Sequence, residues 1–285
     1  MKLSVILVNW KTRDITRDAL VSIYKETRNI EFEVIVVDNN SQDGSVEMIK
    51  KEFPQVILIE NSDNRGFGKA NNQGLKIAKG DYLMFLNTDV VVLDHAIEKL
   101  VNYLDTHADV MMVGPRLLNR DLTFQHVCRR MLPNPTNSFF HLFGLTKIFK
   151  NSKFVTDYKQ YLADPEVTGP AQALSGAAMM FRKAVYEQIG GFDETFFMYG
   201  EDLDFCKRVL DKGWKTVYVS EAKIIHFGGQ SSGKRWVKSL INFYEAMWLY
   251  YRKHFYNQHN IILNLIIWMG IKVRMAIALL INYLK

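Results

Sequence analysis

Three short apolar runs in this chain each end abruptly in a polar residue. Leu3-Ser4-Val5-Ile6-Leu7-Val8 stops at Asn9, Val34-Ile35-Val36-Val37 stops at Asp38, and Tyr82-Leu83-Met84-Phe85-Leu86 stops at Asn87-Thr88-Asp89. Runs so short and so rich in Val, Ile and Leu read as strands buried on both faces. The segments between them read as helices, and a β-α-β-α-β order predicts an α/β fold with a parallel sheet. Ligands of such sheets bind beyond the carboxyl ends of the strands. The three polar endings are therefore expected along one edge, and the chemistry with them.

The chain has 285 residues, 48% hydrophobic and 23% charged, enough for one large domain or two small ones. Two isolated cysteines, Cys128 and Cys206, form neither a disulfide framework nor a zinc spacing and suit a reducing compartment. The first apolar run is brief, reaches Asn9-Trp10-Lys11 and lacks a small-residue cleavage site, so a core strand is expected rather than a signal peptide. That reading places the chain in the cytoplasm.

The net charge of +6 sits in the tail: from Gly233 onward eight Lys and Arg accompany one acid, Glu245. Residues 1–232 are then close to neutral, and no nucleic-acid partner is expected. The tail is also aromatic and aliphatic. Ile261 to Leu284 is long enough to span a bilayer, but Lys272 and Arg274 stand in its middle, and each costs about 2.5–3.5 kcal/mol at mid-bilayer. An amphipathic helix lying in the plane of an anionic membrane surface is the favoured expectation. A helix packed on the domain or on a second copy of the chain, giving a homodimer, is the alternative.

Asp38 opens the turn Asp38-Asn39-Asn40-Ser41-Gln42-Asp43-Gly44-Ser45. Most of these residues suit turn formation, with Asp43 or Ser45 capping a helix from Val46 to Phe53. Asp38 is left over for a nucleotide base. Asn64-Arg65-Gly66-Phe67-Gly68-Lys69-Ala70-Asn71 offers glycines for close approach and two cations for a phosphate or base. It is not a dinucleotide fingerprint, because Asn71 occupies the third glycine position and the segment follows a later strand, Val56 to Glu60. Asn87-Thr88-Asp89 suits Mg²⁺ or Mn²⁺, which take a few protein oxygens and complete their shell from phosphates and water.

Gly200-Glu201-Asp202-Leu203-Asp204 opens a helix in which Leu203, Phe205, Cys206, Val209 and Leu210 form one apolar arc. Acids in a first turn complement the helix dipole, which explains Glu201 on the boundary and Asp204 on the opposite face beside Arg208. Asp202 falls near the centre of the arc, and an acid directed inward is the expected general base. His226 follows an expected strand, Thr216 to Val219. It suits a metal or diphosphate contact and equally suits a satisfied core position.

Asn9-Trp10, Val37-Asp38-Asn39-Asn40-Ser41, Asn64-Arg65-Gly66-Phe67, Asn87-Thr88-Asp89, Gly191-Phe192-Asp193-Glu194, Gly200-Glu201-Asp202-Leu203-Asp204 and His226 occur in an order that resembles family 2 glycosyltransferases, most closely a bacterial rhamnosyltransferase-like group. The resemblance covers about residues 1–232. It implies a GT-A, Rossmann-like mixed sheet flanked by helices, followed here by a helical amphipathic tail. It also implies inversion at the anomeric carbon, with Asp202 as base, Asp89 as the metal-binding acid and Asp38 as the acid that reads the base. Asn87 departs from the usual first Asp of the metal motif. Ser232 departs from the Gln of the processive Gln-x-x-Arg-Trp motif, although Arg235-Trp236 is present, which points to a non-processive enzyme.

The expected site is then Asp202 and Glu201 for catalysis, and Asn9, Asp38, Asn40, Arg65, Asn71, Asn87 and Thr88 for the nucleotide. Ser175, Gly176 and Ala177 are expected under the sugar, and Asp89 and His226 on Mg²⁺ or Mn²⁺. Residues 1–110 are expected to bind the donor, 111–232 to bind the acceptor and carry the base, and 233–285 to form the tail. The expected partners are a UDP- or dTDP-linked sugar, with rhamnose suggested by the resemblance, and a glycan or lipid-linked acceptor at the inner face of the plasma membrane. A nucleotidyltransferase and a non-catalytic membrane-associated scaffold are the competing readings.

Overall fold

The computed structural model describes residues 1–135, 164–228 and 236–283. Gly229, Ser232, Arg235 and positions 136–163 of the expected acceptor region lie outside the described residues. β1 (Leu3–Asn9), β2 (Phe32–Asp38), β3 (Ile57–Glu60) and β4 (Tyr82–Leu86) are mutually parallel in the order β3-β2-β1-β4. Leu3, Val5, Ile6 and Leu7 are fully buried, as are Val34 to Val37, as expected of strands covered on both faces. Asn9 lies level with Asp38 in the register.

Beyond β4 the sheet becomes mixed. β8 (Ala178–Arg182) runs antiparallel between β4 and β6 (Val110–Leu118). β9 (Lys215–His226) runs parallel to β6, and β5 (Val90–Val92) and β7 (Gly169–Pro170) pair antiparallel with β9. One sheet thus joins the two halves of residues 1–228. His226 is the last residue of its strand rather than a residue beyond it. Pairing with β5 and β6, both distant in sequence, extends β9 well past the local apolar run.

Helices α1 (Arg13–Glu26), α2 (Ser45–Glu52), α3 (Phe67–Ile77) and α4 (Ala96–Thr106) follow β1, β2, β3 and β5. α3 packs on β1 and β2, and α4 on β6 and β9. After β8 come α5 (Lys183–Ile189) and α6 (Glu201–Asp211). α6 is seated by Phe205, whose ring centre lies 6.0 Å from Phe85 of β4, 5.0 Å from Phe181 of β8 and 5.5 Å from Phe192. Each buried aromatic contributes about 2–3 kcal/mol by burial, and such pairs add about 0.5–1.5 kcal/mol.

The tail is two helices with different surroundings. α7 (Trp236–His254) packs on the domain through buried Tyr244, Ala246 and Tyr250. α8 (Ile261–Tyr283) is long and apolar enough to cross a membrane, and most of it is exposed. Asn264, a polar interruption in the sequence, is buried and joins the two helices: Tyr251 Oη donates to its Oδ1 at 2.5 Å, and its Nδ2 donates to the Tyr256 carbonyl at 3.0 Å.

Packing of α7 overturns one expectation. Asp204 is not on an outer face but is fully buried. Its carboxylate accepts from Arg208 at 2.8 Å and His254 at 2.8 Å, and it pairs with Lys253 at 2.7 Å. Local helical spacing located Arg208; the other two partners arrive from α7. Burial alone would raise the Asp204 pKa, but the bond from His254 and the charges of Arg208 and Lys253 dominate and hold it down at about 2. A carboxylate held below its unfolded value stabilises the fold above that value, and the contribution is lost as pH falls through the folded one. Asp204→Asn is therefore expected to destabilise the chain by about 2–4 kcal/mol at pH 7. In thermal unfolding, the gap to wild type should close between about pH 4 and about pH 2.

Candidate active site

The end of β1 is tied to the turn after β2 by one amide. Asn9 Nδ2 donates to Asp38 Oδ2 at 2.7 Å and to Ser41 Oγ at 3.0 Å, and its Oδ1 accepts from Thr12 Oγ1 at 2.9 Å and Thr16 Oγ1 at 2.8 Å. Both N–H groups and both lone pairs of Asn9 are then used. Its amide thus holds the Asp38 turn in place at the end of β1. Asp38 also accepts from the Ser41 backbone N–H at 2.9 Å and from Ser41 Oγ at 2.6 Å, which leaves one acceptor position on Oδ1. Asn40 adopts a left-handed conformation (φ 59°) and donates to the Ser62 carbonyl at 2.9 Å.

The Asn64 to Asn71 segment does not act as a unit. Arg65 is exposed and pairs with Asp63 at 3.2 Å. Gly66 has φ +83°, and a Cβ there would stand 2.7 Å from the Phe197 carbonyl. A glycine is therefore demanded there by the loop before α6. Asn71 is buried in α3; its Nδ2 donates to the Phe67 carbonyl at 3.0 Å, and its Oδ1 has no partner among the described residues. Trp10, Asn39, Asn64 and Phe67 line a cavity of about 280 Å³ together with Lys238 and Asn242 of α7. The tail thus contributes to the cleft at the end of β1.

At the end of β4, Thr88 Oγ1 lies 3.3 Å from Thr12 Oγ1, and Asp89 is buried with Oδ1 3.4 Å from His226 Nε2. Gln125 Nε2 donates to the His226 carbonyl at 2.6 Å, which turns its Oε1 to His226 Nδ1 at 3.0 Å. A proton is thereby assigned to Nδ1, and Nε2 faces Asp89. Asn87 Nδ2 lies 3.4 Å from the same nitrogen, while Asn87 Oδ1 is buried with no partner among the described residues. A carboxylate and an imidazole nitrogen 3.4 Å apart suit a divalent cation. No group of three His, Cys, Asp or Glu side chains converges among the described residues, so such a cation would draw the rest of its shell from phosphate and water.

Asp202 stands in the first turn of α6. Its Oδ2 accepts from Arg130 Nη2 at 2.5 Å and from the Gly176 N–H at 3.2 Å, and its Oδ1 accepts from the Leu203 N–H at 2.8 Å. A Cβ on Gly176 would stand 3.1 Å from Asp202 Cβ, so the small residue permits this approach. Asp202 is half-buried rather than central to the apolar arc, where Phe205, Cys206 and Val209 are buried. Glu201 is the inward acid: it is 6% exposed and its Oε2 has no partner among the described residues. Burial, and then the charge of Asp202, push the Glu201 carboxyl well above the usual range.

The ends of the site are linked contact by contact. Asp38 bonds Asn9, Asn9 bonds Thr12, and Thr12 meets Thr88, the neighbour of Asn87 and Asp89. The Asn87 N–H donates to the Ala177 carbonyl at 2.8 Å, and the adjacent Gly176 bonds Asp202. Ser175 to Ala177 therefore lies between the β4 terminus and the α6 acid. Sequence reading missed Arg130, Gln125 and Lys238. Arg130 is 72 residues from Asp202 and belongs to no motif; only the unusual pair Arg129-Arg130 beside Cys128 marks the place.

Comparison with known proteins bears on this arrangement. A mycobacterial N-acetylglucosaminyl-diphospho-decaprenol L-rhamnosyltransferase (Mycobacterium tuberculosis) is 28% identical over 212 residues, 70% of this chain and 68% of the relative. A mannosyltransferase of Pyrobaculum calidifontis, solved with GDP-Man and Mn²⁺, superposes with a TM-score of 0.60 at 16% identity over 88% of this chain and 63% of that one. TarS of Staphylococcus aureus with UDP superposes at 0.56 and 18% identity over 86% and 65%. The chain spans less than two thirds of each of these solved structures, and at such identities the likeness shows the fold alone, which is GT-A. The model described as "N-terminal domain of galactosyltransferase" matches residues 157–228, which include Asp202. The model described as "Glycosyl transferase family 2" matches residues 4–190, well over half the chain and inclusive of Asp38, Asp89 and Gly176; the chain belongs to that family and is a glycosyltransferase.

Proposed function

We propose that the chain is an inverting, metal-dependent, non-processive enzyme. It moves a sugar from a UDP- or dTDP-linked donor to a hydroxyl of a polysaccharide or lipid-linked oligosaccharide precursor at the inner face of the membrane. The observation that carries this reading is the unbroken run of contacts from Asp38 through Thr88 and Gly176 to Asp202. Rhamnose as the sugar and a lipid-linked glycan as the acceptor are supported by likeness to the mycobacterial relative, whose name specifies both. Non-processive transfer is supported by Ser232 in the place of a Gln.

In this mechanism the turn held by Asp38 and Asn9 receives the nucleoside, and the open acceptor position of Asp38 takes an N–H of the base. Asp89 and His226 Nε2 would hold Mg²⁺ or Mn²⁺, which when bound neutralises charge on the leaving diphosphate. Ser175 to Ala177 gives the sugar a floor without bulk. Asp202, fixed by Arg130 and the Gly176 N–H, takes the proton of the acceptor hydroxyl as that oxygen attacks the anomeric carbon opposite the diphosphate. Glu201, favoured in its protonated form, adds no second negative charge beside the base.

Three outcomes test the reading. Asp202→Asn should lose at least about 10²-fold in turnover with nucleotide affinity retained, whereas Glu201→Gln, isosteric with the neutral acid, should lose less than about tenfold. Comparable losses in both would remove Asp202 from the base role. UDP with Mn²⁺ should raise the melting temperature above UDP alone, because a ligand of the native state alone stabilises it. Asp89→Ala should abolish that increment. NMR of the product anomer should show inversion of configuration, and retention would exclude single displacement.

A further inference from the structure

The cavity of about 280 Å³ at the end of β1 is lined from three directions. Trp10 and Asn39 directly follow Asn9 and Asp38, Phe197 and Met198 lead into the helix of Asp202, and Lys238, Ser239 and Asn242 come from α7. Its volume is near the lower end of the usual range for small-molecule sites, about 300–1,000 Å³. The cavity therefore touches both the turn that receives the nucleoside and the loop before the base. A nucleoside-diphosphate sugar with its base at Asp38 and its sugar at Asp202 must run its diphosphate between those two places.

The charge in the cavity suits an anion. Lys238 is the only Lys or Arg among the described residues to line it, and no Asp or Glu among them does. The Lys238 side chain is exposed; its ammonium lies 5.7 Å from the centre of the Phe197 ring and meets no carboxylate among the described residues. A cation in the first turn of a helix opposes the helix dipole, and α7 has no acid in that turn to offset it. Helix stability thus gives no reason for a lysine at this position. Arg65, the cation of the neighbouring motif, turns instead to Asp63 at 3.2 Å. α7 is fixed where it presents Lys238, with Tyr244, Ala246 and Tyr250 buried and with Lys253 and His254 closed on Asp204.

We infer that Lys238 is a donor-binding residue whose ammonium meets the diphosphate, so that the tail helix α7 completes the donor site. A lysine serves phosphate oxygens as a point charge, and here it would add to the charge of a cation held at Asp89. The inference rests on the reading of Asp38 and Asp202 as the two ends of that site, and it adds a group from the tail to them.

Calorimetric titration of the full chain with UDP and Mn²⁺ tests it. Lys238→Met keeps an unbranched stem without the charge and should weaken UDP at least about tenfold, whereas Lys238→Arg should stay within about threefold of wild type. Arg252→Met removes an exposed charge about 20 Å away along the same helix and should leave the affinity unchanged. Higher salt should narrow the gap between wild type and Lys238→Met, because exposed charges are screened. Uridine, followed by ligand-detected NMR, should bind wild type and Lys238→Met within about twofold of each other. UDP affinity left intact by Lys238→Met overturns the inference while the donor reading stands. So does a loss of uridine binding equal to the loss of UDP, which would assign Lys238 to the base. So does an equal loss in Arg252→Met, which would make the effect one of net charge. A wild type that binds neither UDP nor dTDP would sink the donor reading and the inference with it.

Discussion

The seating of Phe205 among Phe85, Phe181 and Phe192 is the contact on which the crevice depends. Phe85 stands two residues before Asn87, and Phe205 stands three residues after Asp202. Their rings meet at 6.0 Å, with Phe181 and Phe192 filling the space around them. An 11-residue helix has little stability of its own, so α6 takes its place by what it buries. Close-packed aromatic rings transmit position well because interiors pack like organic crystals. The apolar cluster therefore sets where the acid at the start of α6 stands relative to the acid at the end of β4.

Around that cluster the polar groups divide into those that hold and those left open. Asn9 spends its whole hydrogen-bonding capacity on Asp38, Ser41, Thr12 and Thr16. Gln125 orients His226 by two bonds at once, and Arg130 orients Asp202. The groups left without a partner among the described residues include Asn71 Oδ1, Asn87 Oδ1 and Glu201 Oε2. Buried polar atoms are normally satisfied, so the unpartnered amide oxygen of Asn87, two residues before Asp89, is a local sign of a ligand at this end of the site.

The tail is coupled to the same machinery. Asp204 is two residues from Asp202, fully buried, and held by Lys253 and His254 of α7. Lys238 and Asn242 of the same helix line the cavity at the end of β1. The helix α7 thus touches both the cleft and α6, and its contact with Asp204 is firm because buried charges in a low-dielectric setting resist separation from their partners.

Much of this was legible in the amino-acid order. Period and composition were enough for the parallel strands β1, β2 and β4, because a strand buried on both faces must be apolar throughout. Their polar ends marked Asp38 and Asp89, and the motif at Glu201-Asp202 marked α6. What depended on contacts across tens of residues was not legible. The antiparallel insertion of β8, the extension of β9 to His226, the pairing of Arg130 with Asp202 and the burial of Asp204 each require partners that no local pattern announces. Helical spacing put Asp204 outside because it can only weigh neighbours three or four positions away. The sequence by itself determined which residues carry charge, lone pairs and apolar surface; the tertiary structure alone decided which of them meet, since that depends on the packing of whole elements against one core.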